Sequence, residues 1–168
     1  MEDKERNSIT ARLDNVRCSL PEGVTLVAIS KYHPVEAIRE AYDAGQRRFG
    51  ENHVMEMVAK AEALPKDIEW HFTGHVQTNK IKYMAPFVHT IQGVDSFRAL
   101  AAISRHAERC GRVINCLLEL HVAHEDSKYG LHSADLFDLL AHELVRHRIA
   151  VLLEHDVEVQ VHGAPVHP

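Results

Sequence analysis

Apolar positions along this chain cluster into short segments, and the clusters alternate between two periods. Near the N-terminus Ile9, Leu13, Val16 and Leu20 recur at helical spacing, and Pro21 with Gly23 ends the run. Residues 24–30, VTLVAIS, are apolar at nearly every position, as expected of a parallel strand buried on both faces. Pro34 suits the first turn of the next helix, whose buried face is Val35, Ile38 and Tyr42, with Gly45 as its C′ residue. The beat then repeats. A short strand over 47–50 precedes a helix carrying Val54, Met57, Val58, Ala61 and Leu64, closed by Pro65. A strand over 69–72 precedes a short helix at 79–84. A strand near 87–91 precedes a helix over 96–109 with Phe97, Leu100 and Ala107 inward. Residues 113–122 read as a longer strand, and Ser133 as the N-cap of a helix with Leu136, Leu139, Leu140 and Leu144. VEVQV, residues 157–161, alternates like a half-exposed sixth strand.

Strands alternating with helices imply a parallel sheet covered by helices. No GxGxxG follows the first strand and no GxxxxGK[ST] occurs, which disfavours the dinucleotide and phosphate-loop folds. The remaining α/β architecture is a (β/α)₈ barrel of the TIM type. Such barrels normally take about 200 residues or more, so about five βα units and an incomplete barrel are expected here.

Composition narrows the picture. The 168 residues fit one domain and carry a net charge of 19 − 24 = −5, which argues against a general nucleic-acid binder. No apolar run is long enough to span a membrane, and the polar start MEDKERN resembles no targeting peptide. The three cysteines make no disulfide framework, so a cytoplasmic location is expected; Cys110 and Cys116 read as small buried residues. Five of the 14 histidines fall in the last 27 residues, a compositional break near the C-terminus. His71 and His75 have metal-like spacing, but no third ligand completes a zinc site, so no metal is expected.

In a parallel barrel, chemistry gathers at the C-terminal ends of the strands. Those ends carry Lys31, Glu51 with Asn52, His71 with Gly74, Gly93, and His121. Lys31 follows VTLVAIS directly. If it points into the barrel, Thr25, Val27 and Ile29 share its direction. An apolar floor desolvates an amine, and a neutral amine is the form that condenses with an aldehyde. A surface lysine in a βα loop is the alternative on position alone.

Three segments carry a resemblance. VAISKYHPVEAIREAYDAGQRRFGENHVMEM, WHFTGHVQTNKIKYMAPFV and HVAHEDSKYGL are similar to successive segments of the pyridoxal 5′-phosphate homeostasis protein family, over about residues 24–140. The resemblance implies a barrel like the N-terminal domain of alanine racemase. It also implies a covalent aldimine between pyridoxal 5′-phosphate and the lysine of the S-K pair, here Lys31. Asn52, His71, Gly74, Gln77, Asn79 and Lys80 fall on family motif positions, and Lys128 matches a lysine near the family's cofactor mouth. Asn52 could instead cap the helix after the second strand, Lys80 and Lys82 could form a solvated helix face, and Lys128 could be an ordinary loop residue.

After about Leu144 the family's S-x-G-M and R-I-G-T segments, which form its phosphate cup, have no counterpart. The expected organisation is therefore a partial cofactor-binding barrel over 1–145 and a divergent His/Val/Pro-rich tail over 146–168, as a truncation with a shifted frame would produce. An open barrel would leave an edge on the first strand, which VEVQV could partly cover and through which chains could associate. The function expected is a pyridoxal-phosphate carrier in vitamin B6 homeostasis, without robust turnover. The cofactor is the expected partner, the family implies a monomer, and neither nucleic acid nor membrane is expected. An amino-acid racemase, or a fragment acting only through protein association, are the alternatives.

Overall fold

The computed structural model describes residues 8–119, 149–151 and 158–162. Helix α1 (Ile9–Ser19) leads into β1 (Thr25–Ile29), α2 (Val35–Asp43), β2 (Arg48–Glu51), α3 (Val54–Ala63) and β3 (Glu69–Phe72). Then follow α4 (Ile81–Met84), β4 (Thr90–Val94), α5 (Phe97–Arg109), β5 (Ile114–Leu118), β6 (Ile149–Val151) and β7 (Glu158–His162). The seven strands form one sheet in the order β6-β5-β4-β3-β2-β1-β7, and every pairing is parallel. From β1 to β5 each strand lies beside its predecessor with a helix between them, the winding of a barrel wall rather than of a doubly wound sheet.

The two faces of the sheet are chemically different. On the helix side, Phe49, Trp70, Phe72, Ile91, Ile114 and Cys116 join Ile38, Met57, Ile81, Met84, Leu100 and Ile103 in one buried cluster. On the other side, register sets Ile29, Gly50, His71, Thr90 and Asn115 abreast of one another. Residues abreast in parallel strands share a face, so this row lines the lumen. Arg48 confirms the direction one layer down. Its Nη1 donates to Thr25 Oγ1 at 3.2 Å and its Nε to Glu69 Oε2 at 2.7 Å. The lumen thus carries polar groups beside Val27 and Ile29, while the apolar core lies between sheet and helices.

Local chemistry sets the element ends. Gly45, at φ +86°, takes the left-handed C′ position after α2. Its N–H donates to Tyr42 O at 2.8 Å, and the Gln46 N–H to Ala41 O at 2.9 Å, the paired bonds of a Schellman motif. Ser96 caps α5 by accepting the Ala99 N–H. Helix α1 has no fully buried residue; Ile9 and Leu13 pack against the core, and polar ties join it to the segment of α2. Arg17 Nη1 donates to Ala44 O at 2.8 Å and the Ile9 N–H to Glu40 Oε1 at 3.1 Å.

Several readings of the sequence need correction. The fourth strand begins at Thr90, three residues later than the expected start at Phe87. The Phe87 and Val88 N–H groups close the turn after α4 by bonding Met84 O, and Val88 is apolar because it fills the core there. Phe97 is exposed in the first turn of α5, and the buried stripe is taken by Leu100, Ile103 and Ala107. Cys110 is exposed at the C-cap of α5; Cys116 is buried. The proposed edge cover is present. Residues 158–162 pair with β1 from Thr25↔Glu158 to Ile29↔His162. The opposite edge gains β6, which the sequence reading did not anticipate. Both added strands come from residues 146–168. The helix beginning at Ser133 lies outside the described residues. No helix among them is long and apolar enough to cross a membrane.

Candidate functional site

The C-terminal end of β1 is fastened to its neighbours by a buried polar cluster. Ser30 turns toward the helix layer, where its Oγ donates to Glu51 Oε1 at 2.5 Å, and its N–H bonds Gly50 O at 2.9 Å. Lys31 follows in the turn after β1 and is half-buried. Lys60 reaches across from α3. Its Nζ donates to Ser30 O at 2.8 Å, Glu51 Oε1 at 2.7 Å and Glu56 Oε1 at 2.6 Å. Glu56 Oε1 also accepts the Tyr32 N–H at 2.8 Å. Tyr32 sits at φ +64°, a left-handed conformation that is uncommon for a bulky side chain. Its hydroxyl lies 3.2 Å from His53 Nε2.

The electrostatics follow from burial. Glu51 is fully buried, and desolvation pushes its carboxyl above the usual range despite the bonds from Lys60 and Ser30. For Glu56, burial acts in the same direction but is outweighed by Lys60 and the Tyr32 N–H, so its carboxyl falls below the ordinary value.

At the C-terminal ends of β2, β3 and β4 the backbone packs closely. A Cβ on Gly74 would lie 2.5 Å from Asn52 O, and one on Gly93 would lie 2.9 Å from Gly74 O. Asn52 does not cap α3; the N-cap is His53, with no side-chain cap bond. Asn52 Oδ1 is instead buried with no hydrogen-bond partner among the described residues.

His71 lies in the lumen row. Gln92 Nε2 stands 3.2 Å from its Nδ1, and the His89 ring is 5.6 Å away. Burial, and then the charges of His89 and Arg48, bring its pKa down to about 4, so the ring is neutral at pH 7. His75, the other half of the H-x-x-x-H spacing, is exposed and faces Asp95 at 3.4 Å. Glu69, His71 and His89 bring one potential metal-ligand atom each within 4.8 Å, but Arg48 already holds Glu69 at 2.7 Å.

The sequence-nominated residues therefore separate. Lys31, Asn52, His71 and Gly74 gather at or below the ends of β1, β2 and β3. Gln77 and Asn79 are exposed in the turn before α4, and Lys80 and Lys82 flank the exposed Tyr83 ring at 5.9 and 4.8 Å. His121 and Lys128 lie outside the described residues. Sequence reading overlooked Lys60, Glu56 and the interior role of Glu69. One signal was available: Lys60 interrupts the buried stripe Val54, Met57, Ala61 four residues after Glu56.

Comparison with known proteins gives this geometry a context. The alanine racemase N-terminal domain family matches residues 5–162. The pyridoxal phosphate homeostasis protein of Schizosaccharomyces pombe is 33% identical over 140 residues, covering 79% of this chain and 59% of that protein. The Escherichia coli K12 protein of the same name is 37% identical over 139 residues, with the same two coverages. The chain thus spans about 59% of the length of these curated relatives. Among solved structures, PipY of Synechococcus elongatus without PLP superposes with a TM-score of 0.79 at 38% identity, covering 85% of this chain and 67% of PipY. PipY with PLP bound gives 0.75 at 35% identity, with coverages of 95% and 72%. A Clostridium difficile alanine racemase shares the fold at a TM-score of 0.70 but only 12% identity, covering 86% of this chain and 38% of the racemase. A parallel wall with a lysine at the end of its first strand, matched along nearly its whole length, makes this chain a member of the alanine racemase N-terminal domain family, on the branch of the pyridoxal phosphate homeostasis proteins.

Proposed function

We propose that this chain binds pyridoxal 5′-phosphate covalently through Lys31 and serves in cytoplasmic vitamin B6 homeostasis as a carrier. The observation that supports the reading is a half-buried lysine just past the end of β1, with the carbonyl before it held by Lys60 and the N–H after it held by Glu56. The cofactor supplies an aldehyde. The amine nitrogen forms the new C–N bond, and the aldehyde oxygen departs as water with the two amine protons.

The described residues fit the aldehyde end of such a ligand. Asn52 Oδ1 is a buried acceptor awaiting a donor. Gly74 and Gly93 let the backbone beside Asn52 pack with no side chain between. Neutral His71 offers a polar, uncharged floor. Asn79 and Lys128 are assigned to the cofactor on family resemblance alone. In this reading residues 1–145 hold the site and residues 146–168 form a divergent tail at the sheet edges. The test is a titration with pyridoxal phosphate, followed by visible absorbance and by equilibrium dialysis. Saturable binding that Lys31→Ala abolishes supports the proposal. Equal binding by Lys31→Ala contradicts it.

A further inference from the structure

The segment around Lys31 is gripped from several directions, and the grips converge on one buried ammonium. Lys60 has three N–H donors, and each meets an oxygen: Ser30 O at 2.8 Å, Glu51 Oε1 at 2.7 Å and Glu56 Oε1 at 2.6 Å. Each carboxylate then holds the segment itself. Glu51 Oε1 accepts from Ser30 Oγ at 2.5 Å, and Glu56 Oε1 from the Tyr32 N–H at 2.8 Å. Ser30 O also accepts the His33 N–H at 3.1 Å. Within this frame Tyr32 keeps φ +64°, a conformation that persists when its surroundings over-determine it.

Filling the core does not call for such a cluster. A buried ion pair is often no better for stability than apolar residues of the same volume, and the rest of the α3 face is apolar. What the cluster does, and a leucine could not, is hold the peptide groups on both sides of a single residue. That residue is Lys31.

We infer that Lys60, Glu51 and Glu56 are positioning residues for Lys31, fixing its backbone so that the amine enters the lumen in one orientation. The inference rests on the reading of Lys31 as the cofactor lysine and assigns the source of its reactivity. A preset approach speeds attack on an aldehyde without strengthening the prior encounter with the ligand.

Glu56→Ala is the informative variant. Glu56 is partly exposed, and its loss cuts the Tyr32 tether while leaving the Lys60–Glu51–Ser30 bonds in place. The full chain is mixed rapidly with pyridoxal phosphate over a range of concentrations, and the visible absorbance change is followed. The saturating rate should fall about tenfold or more, with the half-saturating concentration unchanged. Pyridoxal should be slowed by the same factor, because the tether acts on the lysine. Glu56→Gln keeps an acceptor oxygen for Tyr32 and should recover most of the rate. Without cofactor, hydrogen exchange at the Tyr32 amide should quicken in Glu56→Ala while β1 amides stay protected. An unchanged saturating rate, a change in half-saturation alone, or unchanged exchange at Tyr32 would overturn the inference. Retention of the absorbance change by Lys31→Ala would instead sink the cofactor-lysine reading, and the exchange measurement would still decide whether the cluster pins residue 31.

Discussion

At the scale of single residues, neighbours decide what each side chain does. Gly74 has the backbone of Asn52 against the place where a Cβ would go, at 2.5 Å, and backbone cannot move aside cheaply. Gly74→Ala should therefore destabilise the chain by about 1–3 kcal/mol in urea unfolding. Gly50→Ala meets Ile29 Cδ1 at the same distance, but that is the end of a rotatable side chain, so the loss should be smaller. His71 makes a pH prediction. Its pKa is about 4 in the folded chain against an ordinary 6.5, and it faces Arg48, His89 and Glu69. As pH falls from 6.5 toward 4 the unfolded chain takes up this proton and the folded chain does not, so stability drops across that window. The size is about 3 kcal/mol, and His71→Gln should remove that part of the acid dependence. Lys31 was nominated by resemblance, because a lysine after an apolar strand reads on position alone as a surface loop residue. Lys60 was passed over because a lysine is expected at the surface, and only the fold reveals the three oxygens that draw it inward. Removing it by Lys60→Met should cost about 3–5 kcal/mol in chemical denaturation, since two carboxylates stay behind without their cation.

At the scale of elements, period and punctuation located most of the fold. The strand at 69–72 and the helix ending at Arg109 stand where the sequence put them, because buried strands and amphipathic helices leave local periodic signals. The fourth strand was misplaced because Phe87 and Val88 are apolar for the sake of a turn packed on the core, a reason with no period. Strand β6 is three residues long, too short for any pattern to single it out. The pairing of β7 with β1 gives an element-level test. Deleting residues 157–168 uncovers the β1 edge, and a row of unpaired backbone groups invites other chains. Light scattering should then show concentration-dependent association beyond that of the parent chain, and β1 amides should exchange faster.

At the scale of the molecule, helices cover one face of a parallel wall and a polar row lies on the other, with Lys31 in the turn that follows β1. Residue pattern alone reached the parallel architecture, whereas the cofactor came from resemblance, because a lysine after a strand does not name its aldehyde. The polar lumen was illegible as a unit: Arg48, Glu69, His71 and His89 come from three βα units and meet only through register.

The central claim is that one lysine, Lys31, carries the cofactor. The most direct measurement is to mix the full chain with a stoichiometric amount of pyridoxal phosphate, reduce the mixture with borohydride, and map the modified peptide by mass spectrometry. The account predicts modification concentrated on Lys31 and lost in Lys31→Ala. Label spread over exposed lysines such as Lys82, unchanged when Lys31 is replaced, would contradict it.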